Sequence, residues 1–219
     1  RRQRQMCIRD SINPILVGDE KKIAAVGEEI GFKNYEIVGC SSEEESLVKA
    51  VTMVHNREAD VLMKGLVNTA VYMRGILNKE YGLRTGRLLS LLAVYQLPQY
   101  HKLIYASDSG INVAPDLEQK KVIMTNALEA MKKFGLERPK TAILTANEML
   151  DPKVISTVEA AALTEMAAKG EIPPCIPEGP ISFDIAFDKA AAEHKGIQSK
   201  IAGDVDLLIF PNIEAGNIM

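Results

Sequence analysis

Residues 59–92 read ADVLMKGLVNTAVYMRGILNKEYGLRTGRLLSLL. Asp60 precedes a short apolar run, Val61-Leu62-Met63, that closes on Lys64-Gly65. Such a run has the look of a buried parallel strand leading into a loop. Leu66, Ala70, Met73 and Leu77 then recur at three- and four-residue spacing, which predicts an amphipathic helix. Lys64, Gly65, Asn68 and Thr69 fill the turn between the two. A glycine there lets the backbone approach a ligand closely, and the helix start offers free N–H groups and the positive end of the dipole to an anion. Helical side chains lean toward the N-terminus, so Arg74 would reach the same anion. A plain strand–helix turn with one solvated arginine has the same spacing, and the pattern leaves both readings open.

Toward the N-terminus the alternation continues. Pro14 to Gly18 reads as a strand, and Asp19 as the cap of a helix carrying Ile23, Val26 and Ile30 that stops at Gly31. Tyr35 to Val38 is a second strand. Ser42 with Glu45 forms a capping-box pattern for a helix through Leu47, Val51 and Val54. Strand and helix alternating in this way predict βαβ units and a parallel sheet.

The pattern changes after Arg84-Thr85-Gly86-Arg87, which places a domain boundary near Thr85 and divides residues 12–84 from residues 85–219. Leu88–Leu97 and Leu103–Ala106 read as neighbouring strands. A long helix follows from about Pro115 to Phe134, with proline at its favoured start. Thr141–Ala146 reads as a strand, and Asp151 as the opening of a helix through Val154, Val158, Ala161 and Met166. Ile181–Phe187 fits either element, Ala190–Lys195 a short helix, and Asp206–Phe210 a buried strand before PNIEAGN.

Composition excludes several classes. With 47% hydrophobic and 25% charged residues in 219, the chain is an ordinary globular one. A net charge of −3 without basic–aromatic clusters gives no nucleic-acid or membrane surface. No apolar run approaches the ~20 residues of a membrane span. Residues 1–11, RRQRQMCIRDS, lack the apolar core of a secretory signal and read as a ragged or foreign end. Cys7, Cys40 and Cys175 form no CxxC pair, so a reducing cytoplasm is expected. His55, His101 and His194 are scattered, and no metal-ligand spacing occurs. GxGxxG, GxxxxGK[ST] and GxSxG are also missing from the sequence.

Doubly wound α/β folds bind ligands beyond the carboxyl ends of their strands. Ser107, Asp108 and Asn112 follow one predicted strand, Asn147 and Glu148 a second, and Asn212, Glu214 and Asn217 a third. Each alone is as well explained by a turn or cap, and their clustering is the stronger signal. Asp184 could orient a loop or another side chain, or cap a helix. His194-Lys195 reads as the exposed end of a short helix.

Asp60–Gly65, Leu83–Ser90 (LRTGRLLS), Asn112–Lys120 (NVAPDLEQK) and Pro211–Asn217 (PNIEAGN) resemble, in order, the motifs of the phosphate acetyl/butyryltransferase family. The Lys-Gly and Arg-Thr-Gly-Arg forms are more similar to butyryl-type than to acetyl-type members. The resemblance implies a two-domain αβα fold with mainly parallel sheets, like isocitrate and isopropylmalate dehydrogenases, with the active site in the interdomain cleft. It implies a homodimer that moves a short-chain acyl group between coenzyme A and inorganic phosphate, with CoA as co-substrate and neither a tightly bound cofactor nor a metal. Arg74 matches a family arginine expected to contact phosphate or CoA. Lys64, Gly65, Asn68 and Thr69 stand in the matching loop, and Arg87, Ser90, Asp108, Asn112, Asn212 and Asn217 at motif positions lining the cleft. The family's Ser-Arg pair and thiol-deprotonating aspartate follow the PNIEAGN motif at a distance. The catalytic base is therefore expected beyond Met219, the chain reads as an internal fragment, and little activity is expected of the fragment alone. The alternative readings are a phosphate acetyltransferase and a non-catalytic acyltransferase-like module of a fused enzyme.

Overall fold

Strand β1 (Ile15–Gly18) pairs in parallel with β2 (Glu36–Gly39), Ile15 facing Glu36 and Gly18 facing Gly39. These strands belong to a computed structural model that describes residues 12–219, so the reading of residues 1–11 and of Cys7 lies outside the described residues. The chain divides into two compact units between Gly86 and Arg87.

In the first unit, local chemistry sets the helix ends. Asp19 accepts a hydrogen bond from the Lys22 N–H at 3.1 Å and starts α1 (Glu20–Glu29), satisfying one of the donors a helix start leaves open. Gly31, at φ +65°, lets the chain leave the helix. The Ser42 hydroxyl accepts from the Glu45 N–H at 3.1 Å and starts α2 (Glu43–His55). The return arm of the expected capping box is shifted by one residue: the Glu45 carboxylate accepts from the Ser41 N–H at 2.8 Å and its hydroxyl at 2.6 Å. Helix α3 (Thr69–Ile76) packs against α2, and a Cβ on Gly75 would lie 2.6 Å from Leu47 Cδ2.

The strand expected at Val61–Met63 is not formed. No ladder pairs this segment with β1 or β2, and Val61 and Met63 are 76% and 83% exposed. A three-residue apolar run carries no alternation, and a strand exists only through its partner's hydrogen bonds.

The second unit is built on a five-stranded sheet of β3 (Ala93–Tyr95), β4 (Ile104–Ser107), β5 (Lys140–Leu144), β6 (Ile176–Ile181) and β7 (Leu207–Ile209), in the order β3-β4-β7-β5-β6. Only β3 is antiparallel, so the sheet is mainly parallel, as expected. Period-two alternation divides its core between two faces. Tyr105, Ile143, Leu207 and Ile209 pack with Met124, Leu128 and Met131 of α4 (Leu117–Lys133) and Ala160 and Leu163 of α5 (Ile155–Ala168). Ile104, Ala106, Ala142, Leu144 and Leu208 pack on the other face with Ile185 and Ala186 of α6 (Phe183–Phe187) and Ala192 of α7 (Lys189–His194).

Two local expectations are corrected here, and one strand is added. The strand read over Leu88–Leu97 shrinks to Ala93–Tyr95, because side-chain amides of Asn126 and Asn112 take the Leu88 and Leu89 carbonyls that a ladder would use. The helix read from Asp151 begins at Ile155; Asp151 instead closes a turn, accepting from the Lys153 N–H at 2.9 Å and donating its own N–H to Thr157 Oγ1 at 2.9 Å. Strand β6, IPEGPI, falls where the sequence predicts no element, and its two prolines and a glycine are poor strand formers. It forms at the edge of the sheet, where a missing N–H faces away from the ladder.

At the amino edge of this sheet, Lys102 pairs with Asp204 at 2.6 Å and Asp206 at 2.7 Å, Lys140 with Asp204 at 2.5 Å, and His101 with Asp204 at 2.8 Å. Hydrogen bonds from Lys102 and Lys140 hold the Asp204 carboxyl well below its ordinary range. The folded state thus favours ionised Asp204. That stabilisation is present above the unfolded value, about pH 4, and is lost as pH falls through the depressed value. With its side chain 42% exposed, Asp204→Asn is expected to cost only about 1 kcal/mol at neutral pH. In urea unfolding, the gap between the proteins should close as pH falls below about 4.

Candidate functional site

Register brings the ends of the four parallel strands to one edge: Ser107 faces Ile209, Ile143 faces Ile209, and Leu144 faces Ile181. The loop after β4 is organised by Asp108, which is only 4% exposed. Its carboxylate accepts from the N–H groups of Gly110, Ile111 and Asn112 at 3.0, 3.2 and 3.1 Å, and from Asn112 Nδ2 at 2.5 Å. Asn112 Nδ2 also donates to the Leu89 carbonyl at 3.0 Å.

After β7, Asn212 caps α8 (Ile213–Ile218), accepting from the Ala215 N–H at 2.9 Å. The Ile213 N–H reaches the Val113 carbonyl at 3.0 Å, joining this helix to the β4 loop. The two lie so close that a Cβ on Gly216 would stand 2.7 Å from Ser109 Cα. Ser90 accepts from Asn126 Nδ2 at 3.1 Å, and Arg87 is ion-paired with Glu129 at 2.6 Å. Asn217 is exposed, and its side chain makes no hydrogen bond among the described residues. The edge thus gathers Asp108, Asn112, Asn212 and Asn217. The first three are committed to building its loops.

In the first unit the Asn68 side chain caps α3, accepting from the Ala70 N–H at 2.9 Å, while its own N–H donates to Glu43 Oε1 at 2.7 Å. A carboxylate of the chain therefore lies at the helix start, where the sequence suggested an external anion. Gly65 is exposed, and no atom lies within 4 Å of the place a Cβ would take, so packing does not demand glycine there. Lys64, Thr69 and Arg74 are exposed, and Arg74 lies in the last turn of α3. Among the described residues neither Lys64 nor Arg74 has an ion-pair partner, leaving both cations open to a negative ligand.

One constellation was not assembled from the sequence. Lys195, at the end of α7, reaches Glu148 after β5 at 3.3 Å and Asp184 in α6 at 3.0 Å. The Ser182 hydroxyl donates to Asp184 at 2.6 Å. Together with Lys195 it holds the Asp184 carboxyl down to about 2. Beside them, Asn147 Oδ1 is buried with no hydrogen-bond partner. The individual signals were polar residues after strand ends and an aspartate able to orient another side chain; their convergence needed the parallel β5–β6 pairing. Burial pushes the Cys175 thiol up to about 11, so it stays protonated rather than acting as a thiolate. Among the described residues no group of three or more His, Cys, Asp or Glu could hold a metal ion, and no helix is long and apolar enough to cross a membrane.

Comparison with known proteins places this geometry among acyl-group transferases. Residues 40–219 match the family described as Phosphate acetyl/butaryl transferase. The chain is 41% identical over 207 residues to a phosphate butyryltransferase of Clostridium acetobutylicum, covering 94% of this chain and 69% of the relative. It is 39% identical over 208 residues to a phosphate acetyltransferase of Thermotoga maritima, covering 94% and 70%. The crystal structure of a branched-chain phosphotransacylase from Enterococcus faecalis V583 superposes with a TM-score of 0.78 at 27% identity, covering 94% of this chain and 82% of that one.

Asp108→Ala would strand three backbone donors and the Asn112 amide around one vacated acceptor. A loss of about 3 kcal/mol is expected, read from the urea midpoint.

Proposed function

This chain belongs to the phosphate acetyl/butyryl transferase family, and from that membership we propose that it moves a short-chain acyl group between coenzyme A and inorganic phosphate. A phosphate oxygen attacks the thioester carbonyl, the C–S bond breaks, and acyl phosphate and CoA leave; the reverse reaction returns the acyl group to the CoA thiolate. The observation that carries this reading is the family match across residues 40–219. The resemblance of the Lys64-Gly65 and Arg84–Arg87 motifs favours a butyryl-type substrate over acetyl. CoA serves as a co-substrate, and the enzyme works in the cytoplasm as a homodimer.

Both substrates are anions, so the chemistry needs cations and oriented donors. Lys64 and Arg74 supply charge unopposed by an ion pair among the described residues, and Arg74 contacts the phosphate or the CoA phosphates. Gly65, Asn68 and Thr69 shape the approach to α3. In the second unit, Asn217 and Ser90 offer polar contacts, and Arg87 exchanges Glu129 for a substrate anion. Asp108, Asn112 and Asn212 are positioning residues that hold the loops after β4 and β7.

The test is phosphate-dependent release of CoA from acyl-CoA, followed with a thiol reagent on protein expressed from the whole gene. Butyryl-CoA is expected to exceed acetyl-CoA by at least about tenfold in kcat/KM, since each methylene in an apolar pocket contributes about 1–3 kcal/mol. Release that ignores phosphate with every short acyl-CoA would overturn the assignment. Arg74→Ala should raise KM for phosphate or CoA about tenfold, the loss of one hydrogen bond to a charged group. Unchanged kinetics for both substrates would remove Arg74 from the site.

A further inference from the structure

We infer that Lys195 is a positioning residue that keeps the Glu148 and Asp184 carboxylates paired, so that the carboxyl edge of the second sheet admits a phosphate-bearing substrate. The inference rests on the acyl-transfer reading above. Its basis is the charge that the four parallel strands deliver to that edge. Asp108, Glu148 and Asp184 follow β4, β5 and β6, and Glu214 follows β7. Strands stand about 4.8 Å apart, so adjacent strand ends lie well within the ~8–10 Å over which charges act at physiological salt. Unmasked, these carboxylates would repel any phosphate arriving there.

Each is masked differently. Asp108 is surrounded by three N–H groups and an amide. Glu214 is exposed in the first turn of α8, where peptide dipoles offset it. Glu148 and Asp184 share one cation, Lys195 Nζ, at 3.3 and 3.0 Å. The arrangement contributes little to folding: the Lys195, Glu148 and Asp184 side chains are 36%, 23% and 53% exposed, and pairs of this kind are worth about 0–1 kcal/mol. Lys195 also lies in sequence well after both partners, at the C-cap of α7, so its placement depends on the helix docking beside the strand ends.

A purely mechanical clamp between the segment after β5 and the start of α6 is the competing role, and charge-neutral variants separate the two. Lys195→Ala should raise KM for phosphate about fivefold or more with kcat little changed, because two carboxylates are left uncompensated. The rise should shrink between about 0.05 and 0.5 M salt as screening replaces the missing cation. Lys195→Arg should keep the wild-type KM. Lys195→Ala combined with Glu148→Gln and Asp184→Asn should return KM to within about twofold of wild type, since the repulsion disappears although the clamp is still broken. A triple variant as impaired as the single one, a salt-independent defect, or a wild-type KM in Lys195→Ala would each overturn the inference. Phosphate affinity of the same four proteins is measured by calorimetry, with the same ranking expected. A wild type that binds phosphate without releasing CoA from acyl-CoA would sink the acyl-transfer reading while the affinities still judge Lys195. A wild type that binds no phosphate overturns both.

Discussion

Burial of β4, β7 and β5 on both faces is the constraint on which the second unit depends. Ile104, Ala106 and Leu208 on one side and Leu207 and Ile209 on the other are nearly or wholly inaccessible to water. Each large side chain so buried contributes about 1.5–3 kcal/mol. A one-residue slip would turn both sets toward the wrong helices. With register locked, Ser107, Ile143 and Ile209 end level with one another. The loops that follow have no choice but to meet at one edge.

The candidate residues of the two units, each taken by itself, use their polar groups in two ways. Asp108, Asn112 and Asn212 spend their capacity on backbone donors and carbonyls, as buried or half-buried polar groups must. Lys64, Arg74 and Asn217 remain exposed without such commitments among the described residues. A transferase for anionic substrates needs both: rigid loops that do not reorganise, and unspent charge or amide groups to meet the ligand. The inference about Lys195 adds a third requirement, that the carboxylates at the strand ends not repel the substrate.

The helix starts of the first unit were the most legible part of the fold. Asp19 and Ser42 stand within four residues of the donors they satisfy, so the evidence for each cap lies inside a short window of sequence. The long helix behind Pro115 and the buried strands around Tyr105, Ala142 and Leu208 were legible for the same reason, through periodicity. Val61–Met63 misled because an apolar triplet says nothing of whether a neighbouring strand will pair with it. IPEGPI carries no strand signal, yet it pairs, since an edge position excuses prolines that a central one would forbid. In the candidate site, the sequence marked Asp108 and Asn212 as residues of consequence, but not the loop hydrogen bonds that each makes.

By itself the sequence determined the α/β class, several helix boundaries and, through its ordered motifs, the family. These depend on periodicity, capping and residue order along the chain. Only the tertiary structure decided that residues 61–63 stay unpaired, that β7 lies between β4 and β5, and that Lys195 meets Glu148 and Asp184. Strand pairing and ion pairs join residues far apart in sequence. Their partners are chosen by which surfaces the packed core leaves adjacent, and no local pattern records that choice.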